Sequence, residues 1–304
     1  MIAKRLVSNL SPRDRLLAER LEALYRNWGP ETCQTDPIRF PRSYLRPEDQ
    51  EVAGWIASAF AYGRVETILA NVARVLEPLG PHPAEALHAI RDFRRFGREE
   101  LGGFRHRFHD GGDAAALLLV IARARDEAGT LRAYFERESR ADDRDVSGLL
   151  DRVTARILSI DFRNALGSRA VPPRSPVRFF FPAPAEGSAC KRWNLFLRWM
   201  VRRDALDLGL WEGIPSSRLV IPTDTHIHLV GRRLGLTRRR AADWKTAAEI
   251  TERLKRFDPI DPVRYDYALC RIGIHQICRP EARLSRCAEC LARDACATGR
   301  RNVA

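Results

Sequence analysis

The sequence predicts an all-α protein from three observations. Apolar residues recur every three or four positions along residues 65–76, which is the spacing of one face of a helix. Ser11, Pro12 and Asp14 form a helix start, with an N-cap, a proline in the first turn and an acidic residue near the positive end of the helix dipole. No segment combines sustained polar–apolar alternation with a hairpin turn, so we expect no sheet. Further helices are expected at 114–124, 131–137 and 149–160.

The composition favours a polyanionic partner. The 304 residues carry a net charge of +13, and nucleic acid is the first polyanion to consider for such a basic chain. The alternative is compositional bias, because nearly all of the positive charge is arginine. The first 15 residues contain no apolar signal core, and the longest apolar run, 114–122, is too short to span a bilayer. We therefore expect a cytoplasmic, nucleoid-associated monomer without a membrane partner.

One segment departs from the helical pattern. Residues 161–187 are rich in proline, glycine and arginine, which indicates a long connection. Its three consecutive phenylalanines, at 179–181, are expected to anchor this connection to the core.

The C-terminal region contains a four-cysteine pattern. Cys278, Cys287, Cys290 and Cys296 are separated by eight, two and five residues, close enough for four thiolates to converge on one metal ion or one cubane cluster. The loop is short and charged, so a metal would supply folding energy that its small apolar surface cannot. An iron–sulfur cluster, a zinc site and separate structural cysteines are the three interpretations, and the rest of the chain favours the first.

This pattern resembles the cluster loop of the endonuclease III family, part of the helix-hairpin-helix DNA glycosylase superfamily. The last two spacings are the same, and the first gap is two residues longer here. The resemblance implies a 4Fe–4S cluster as cofactor. It also implies that basic residues of the loop contact the DNA backbone, and Arg279, Arg283 and Arg286 occupy that stretch. The alternative for these arginines is a solvated loop in an arginine-rich chain.

A second resemblance to that superfamily lies in GSACKR at 187–192 and IPTDTHI at 221–227. It implies that Gly187 is a DNA-binding hairpin glycine, Lys191 the nucleophile and Asp224 the catalytic aspartate. The match has two departures. Ala189 stands where the family has a second glycine, and Asp224 follows Lys191 by 33 residues, a longer gap than in endonuclease III. The longer gap is similar to that of the archaeal 8-oxoguanine DNA glycosylase branch, and several motifs resemble an uncharacterised bacterial family related to that branch.

The scarcity of lysine bears independently on the nucleophile. The chain has only Lys4, Lys191, Lys245 and Lys255, against dozens of arginines. A guanidinium stays protonated and cannot act as a nucleophile, whereas a buried amine can lose its proton. We therefore expect Lys191 to be neutralised by burial. The alternative is an ordinary solvated lysine, and the alternative for Asp224 is a helix N-cap, a role compatible with catalysis.

The resemblance implies a two-domain helix-hairpin-helix DNA glycosylase fold with a C-terminal iron–sulfur cluster loop. Residues 47–204 would form a helical barrel domain ending in the hairpin and the lysine helix. Residues 1–46 and 205–304 would form a second helical domain with the aspartate and the cluster loop. The implied activity is base excision from double-stranded DNA, with an oxidised purine such as 8-oxoguanine as the expected lesion and an oxidised pyrimidine as its competitor. A lysine imine would then lead to strand cleavage at the abasic site.

Four aromatic residues complete the expected site. The segment SAFAYG at 58–63 resembles the family's segment with a DNA-wedging side chain, so Phe60 and Tyr62 are expected to enter the base stack. Trp193 and Phe196 lie near the lysine and are expected to line the base pocket, because aromatic faces suit a flipped purine. Packing in the core is the alternative for each of the four.

The sequence is also compatible with two functions other than that of a glycosylase. One is a nucleic-acid-binding protein that keeps the scaffold without turnover, which the degenerate hairpin supports. The other is a zinc or redox protein in which the four-cysteine site is the functional centre.

Overall fold

The structure is a computed structural model that describes residues 10–303. Lys4 and the other residues of 1–9, which the sequence analysis assigned to the second domain, lie outside the described residues. The described chain is mostly α-helical, as the sequence predicts. In chain order the helices are α1 (Pro12–Arg26), α2 (Arg39–Arg42), α3 (Pro47–Ala59), α4 (Val65–Leu76), α5 (Pro83–Ala89), α6 (Phe93–Glu99), α7 (Gly111–Ala128), α8 (Leu131–Glu136), α9 (Ser147–Ser159), α10 (Arg163–Leu166), α11 (Lys191–Val201), α12 (Thr225–Leu234), α13 (Trp244–Lys255), α14 (Asp266–Ile274) and α15 (Ala297–Val303).

The helix boundaries follow local capping chemistry. Ser11 caps α1 through its hydroxyl, which accepts the N–H of Asp14 at 3.2 Å, so the predicted start is confirmed. Helix α7 begins with a reciprocal capping box, in which the carboxylate of Asp110 accepts the N–H of Asp113 and the carboxylate of Asp113 accepts the N–H of Asp110. The helices predicted at 65–76, 114–124, 131–137 and 149–160 are all confirmed as α4, α7, α8 and α9.

The expectation of no sheet is wrong at one place. Strand β1 (Arg105–His106) pairs antiparallel with β2 (His109–Asp110), and the register joins Arg105 to Asp110 and His106 to His109. Two-residue strands are too short to show the alternation from which a strand is predicted. The turn between them consists of Arg107 and Phe108.

The described chain divides into two compact units. The first, which we call the lysine unit, contains the described residues up to Pro30, Gly187–Asn194 and everything from Pro215 on. The second, the large unit, contains Glu31–Glu186 and Leu195–Ile214. The domain boundaries expected from the sequence stay a prediction.

The large unit has α7 as its central helix. The stretch from Ala114 to Ile121 is almost completely buried, and α6, α8 and α5 pack against it. The buried carboxylate of Glu51 on α3 accepts the N–H groups of Leu131 and Arg132 at the start of α8, and also the indole N–H of Trp211 at 2.7 Å. These three hydrogen bonds satisfy a charge that would otherwise be costly to bury, and they join three distant parts of the chain.

The connection at 161–187 belongs to the large unit up to Glu186 and contains short 3₁₀ turns at Pro176–Phe180 and Pro184–Glu186. Phe180 and Phe181 are buried and anchor it as expected, whereas Phe179 is 40% exposed. In the described part of the chain, no helix has the length and apolar character needed to cross a membrane.

The lysine unit is built around the packing of α12 on α14. The buried carboxylate of Asp14 on α1 pairs with Arg253 at 2.5 Å and with Arg256 at 3.0 Å, which joins the first helix to the end of α13. The segment leading to α12 is fixed by the hydroxyl of Thr251, which accepts the N–H of Ile221 at 3.0 Å. This packing positions the start of α12.

Candidate active site

The lysine unit brings Lys191 and Asp224 together. The Nζ atom of Lys191 lies 3.8 Å from Oδ2 of Asp224. Lys191 is the first residue of α11, and Asp224 is the N-cap of α12. The helix dipole stabilises a carboxylate at the N-terminus of a helix and disfavours an ammonium there. The position of Lys191 is therefore electrostatically unfavourable with respect to its own helix. The two residues expected to be catalytic are therefore neighbours at the distance of an ion pair.

The two carboxylate oxygens of Asp224 have different partners. Oδ1 accepts the N–H groups of His226 at 2.9 Å and Ile227 at 3.0 Å, so the N-cap role is confirmed. Oδ2 faces Lys191. The cap fixes the rotamer of the carboxylate, and one oxygen is left to interact with the amine.

The backbone before Lys191 has an unusual conformation. Gly187 has φ +80° and Cys190 has φ +48°, a region that residues other than glycine rarely occupy. The hydroxyl of Ser188 accepts the N–H of Cys190 at 3.1 Å, and the carbonyl of Gly187 accepts the N–H of Trp244 at 3.2 Å. Cys190 therefore places a strained left-handed residue with a side chain directly before Lys191, and folded proteins often keep such strain at functional sites.

Lys191 is only partly buried, so the expectation of a buried lysine is wrong. Its side chain is 28% exposed, and that of Asp224 is 23% exposed. Solvent therefore reaches both groups, and a bound substrate would have to exclude it.

The other described lysines lie in ordinary surroundings. Lys255 pairs with Glu252, three residues earlier on the same helix, at 2.8 Å, and Lys245 is exposed. Lys191 instead faces a carboxylate 33 residues away in the sequence. The position of Lys191 is therefore not explained by a general need for a positive charge on the surface.

The four cysteines of the predicted cluster loop influence one another electrostatically. Burial, together with the nearby thiols of Cys278, Cys296 and Cys287, raises the pKa of the Cys290 thiol to about 11. Cysteine thiolates are the donors of a four-cysteine metal site or an iron–sulfur cluster. All four are free of disulfides. Among residues 10–303, no three His, Cys, Asp or Glu side chains have the geometry of a metal site, and the iron–sulfur cluster stays a prediction.

Arg233 connects the aspartate helix to the cysteine loop. It lies in the last turn of α12 and donates to Sγ of Cys278 at 3.0 Å and to the hydroxyl of Ser285 at 2.8 Å. It also donates to the carbonyls of Arg279 and Pro280. Helix α12 therefore presents Asp224 at one end and holds the cysteine loop at the other.

The three loop arginines remain accessible. Arg283 and Arg286 are exposed, and Arg279 is half-buried, with its guanidinium 2.7 Å from Oε1 of Gln276. Arg286 also pairs with Glu289 at 3.0 Å. Contact of these arginines with DNA stays a prediction.

The four aromatic residues expected at the site are distributed over both units. Phe60 is fully buried in the large unit, and Tyr62 is half-buried there, with its hydroxyl 2.5 Å from Nδ1 of His109. Trp193, in the lysine unit, is buried. Phe196, in the large unit, is buried among aromatic rings that include Trp55, Phe135 and Trp211. In this structure Phe60, Trp193 and Phe196 serve core packing, and their roles at DNA stay predictions.

Sequence reasoning missed two features of this architecture. Arg233 carried no signal, because one arginine in an arginine-rich helix looks like any other. The hairpin at 105–110, with Phe108 in its turn, also went unnoticed. Its only signal was a phenylalanine between arginine and histidine in the stretch FRHRFH.

The fold and the site define a mostly helical protein with a paired lysine and aspartate at two helix starts. Residues 36–275 match the family described as a protein of unknown function, DUF2400. The match covers well over half of the chain, which therefore belongs to this family. It includes Lys191 and Asp224 and ends before Cys278. No curated protein and no solved structure matches the chain.

Proposed function

We propose that this protein is a DNA glycosylase with AP-lyase activity, built on the helix-hairpin-helix fold. The observation that carries the proposal is the pairing of Lys191 Nζ with Asp224 Oδ2 at 3.8 Å. Each residue lies at the start of a helix, and both were assigned to catalysis from their motifs alone. The net charge of +13 supports double-stranded DNA as the partner.

The proposed reaction begins with the lysine. Asp224 accepts a proton from the Lys191 ammonium, and the neutral amine attacks C1′ of the damaged nucleotide. A bond forms between Nζ and C1′, while the glycosidic bond breaks and its electron pair leaves with the base, which takes up a proton. The attached amine then loses a proton, and its lone pair forms the C1′=N bond of a protonated imine while the C1′–O4′ bond breaks and O4′ takes up a proton. Loss of a proton from C2′ expels the 3′ phosphate by β-elimination.

Asp224 has a second role while the glycosidic bond breaks. Positive charge develops on the sugar at this stage, and a fixed carboxylate close to it stabilises the transition state. Because Oδ1 is held by two N–H groups of α12, the carboxylate needs little reorganisation during the reaction. By the resemblance to the archaeal branch, the proposed substrate is an oxidised purine such as 8-oxoguanine.

The proposal includes a 4Fe–4S cluster held by Cys278, Cys287, Cys290 and Cys296. It is supported by their spacing and by the electrostatic coupling of their thiols. Such a cluster supplies folding energy to the loop. Protein purified without oxygen should be brown, with broad absorption near ~400 nm and about four irons per chain. Colourless protein with one zinc per chain would contradict this part of the proposal and favour the zinc alternative.

Borohydride trapping tests the central claim. Borohydride reduces an imine to a stable amine, so the parent protein should form a covalent adduct with DNA that contains an abasic site. Lys191→Arg should form none, because it keeps the charge but has no titratable amine. Lys245→Arg is the matched control, since it makes the same change at an exposed lysine of the same unit. It should give the parental yield.

Binding to undamaged duplex separates the outcomes. If Lys191→Arg binds duplex like the parent but gives no adduct, the lysine is the nucleophile. An adduct or parental nicking by Lys191→Arg would remove the lysine from the mechanism. Tight duplex binding with no adduct from the parent on any lesion would favour a non-catalytic nucleic-acid-binding protein.

A further inference from the structure

Two exposed phenylalanines contact each other on the large unit. The chain has 13 phenylalanines, all within the described residues, and only Phe108 and Phe179 are exposed, at 49% and 40%. Their ring centroids are 5.0 Å apart, with the planes at 82°. Tyr62 completes the cluster, with centroids 6.1 Å from Phe108 and 5.0 Å from Phe179. We call these three residues the aromatic platform.

Two buried histidines hold the platform in place. The Nε2 atom of His109 donates to the carbonyl of Pro176 at 2.9 Å, which leaves Nδ1 to accept the hydroxyl of Tyr62. His106 binds the carbonyl of Tyr62 through Nε2 at 3.0 Å and the amide of Asn71 through Nδ1 at 2.9 Å. These hydrogen bonds join the segment after α3, the hairpin and the 161–187 connection. They therefore fix the backbone that carries the exposed rings.

The turn that presents Phe108 is strained. Arg107 has φ +56°, a left-handed conformation that residues with a side chain rarely adopt. Its side chain lies beside Gly63, where an added Cβ would be 3.7 Å from Cδ of the arginine. A glycine or asparagine would relieve the strain in this turn. The sequence instead has an arginine and a phenylalanine, both exposed.

The surroundings of the platform are positively charged. The three segments that build it, 60–64, 104–109 and 174–181, contain five arginines and no acidic residue. Arg64, Arg105, Arg107 and Arg174 are exposed. The nearest acidic residues in sequence are Glu66, in the first turn of α4, and Asp110, whose carboxylate caps α7. Exposed aromatic faces surrounded by arginines match a polyanion whose units carry flat rings.

We propose that the aromatic platform binds an unpaired nucleobase by stacking and that the neighbouring arginines contact the adjacent phosphates. The partner is DNA, and this inference rests on the proposed function for the identity of that nucleic acid. Stacking between bases and aromatic side chains, within a positively charged groove, is the common means of holding bases outside a duplex. The platform would hold a base that has left the stack, or its unpaired partner on the opposite strand.

The test uses two DNA duplexes that differ by one base. One is fully paired, and the other carries a single unpaired 2-aminopurine, whose fluorescence is quenched when it stacks. Phe108→Ala should weaken binding of the bulged duplex about tenfold and remove the quenching, as loss of one stacked base implies. Binding of the paired duplex should stay within about twofold, because it depends on phosphate contacts.

Three control variants test whether the aromatic ring of Phe108 is responsible for the binding and the quenching. Phe108→Leu keeps apolar surface without an aromatic face and should behave like Phe108→Ala, whereas Phe108→Trp should retain binding and quenching. Leu45→Ala removes an apolar side chain that is 97% exposed on the same unit, and it should change neither. Parental binding of the bulged duplex by both Phe108→Ala and Phe108→Leu would overturn the proposal. A change of oligomeric state in Phe108→Ala would overturn it too, because the rings would then be a protein interface.

The failure of this inference differs from the failure of the proposed function. If the parent is trapped by borohydride and the Phe108 variants bind the bulged duplex normally, only the platform is excluded. If stacking depends on Phe108 but no adduct forms on any abasic DNA, the platform stands and the lyase chemistry fails. If the parent binds neither duplex, both are wrong.

Discussion

Helix α11 supplies Lys191 to one ion pair at its start, and its last turn, with Arg202 directly after it, supplies cations to a very different ion pair. Lys191 faces Asp224 at 3.8 Å, with side chains 28% and 23% exposed. Arg198 and Arg202 enclose Asp207, and all three side chains are at most 4% exposed. The Asp207 carboxylate accepts hydrogen bonds from both guanidinium groups. The Lys191–Asp224 pair is only partly buried, and solvent reaches both side chains.

The difference separates a buried ion pair from the pair to which we assign catalysis. Charges that are buried and fully hydrogen-bonded, like those around Asp207, hold the chain in one arrangement, and removal of one partner leaves the others unpaired. A partly open pair can exchange its partner for a substrate at small cost, since water already competes for it. The choice of cation agrees with this division, because arginine stays charged and lysine can give up a proton.

The largest expected effect on stability is at Asp207. Asp207→Ala should lower the free energy of unfolding by about 3–5 kcal/mol, because two buried arginines would lose their carboxylate. Denaturant titration monitored by tryptophan fluorescence measures this loss. Asp161→Ala removes a carboxylate whose pair with Arg163 is open to solvent, and it should change stability little. Equal losses in the two variants would mean that the Asp207 network is not structurally important.

The next effect separates catalysis from capping at Asp224. Asp224→Asn should slow base removal by about 100-fold, because a neutral amide neither accepts the lysine proton nor stabilises a cationic sugar. Stability should change little, since asparagine is also a good N-cap. Single-turnover kinetics on lesion-bearing duplex measures the rate.

Asp243→Asn is the matched control for that experiment. Asp243 also caps a helix of the lysine unit, by accepting the N–H of Thr246, and it pairs with Arg239 at 2.5 Å. Its substitution should leave base removal at the parental rate. If both variants lost activity equally, the effect at Asp224 would be one of helix capping.

The sequence predicted the parts of the site that depend on short local patterns. The N-cap at Asp224 is a local feature, so its motif sufficed. Pairings between distant residues left no such pattern. Glu51 ends a polar run at 47–51, and nothing in the sequence indicated that Trp211 would bind it.

Exposure was the hardest property to predict. Lys191 was expected to be buried, but its side chain is 28% exposed. Its burial depends on residues that are distant in the sequence, so the local pattern could not predict it. Phe108 and Phe179 are open, whereas Phe180 is buried, and composition cannot distinguish adjacent phenylalanines. In a helix, apolar residues at three- and four-residue spacing predict which face is buried. Loops and two-residue strands have no such periodicity, so the exposure of their side chains cannot be predicted in this way.

The smallest expected effect concerns pH and Asp204, which extends the buried network. Burial raises the pKa of the Asp204 carboxyl, but Arg202 at 2.9 Å and the N–H groups of Asp207 and Leu206 outweigh this, so the pKa lies below its ordinary value of 3.8. A lowered pKa in the folded state means that the ionised carboxylate stabilises the fold above pH 3.8. This contribution is lost as the pH falls through the folded-state pKa. Asp204→Asn should therefore be less stable than the parent by about 1 kcal/mol at pH 7, and the difference should shrink steadily below pH 4. Denaturant midpoints at pH 7, 5, 4 and 3 measure it, and a difference that stayed constant down to pH 3 would show that the charge of Asp204 contributes nothing to the network.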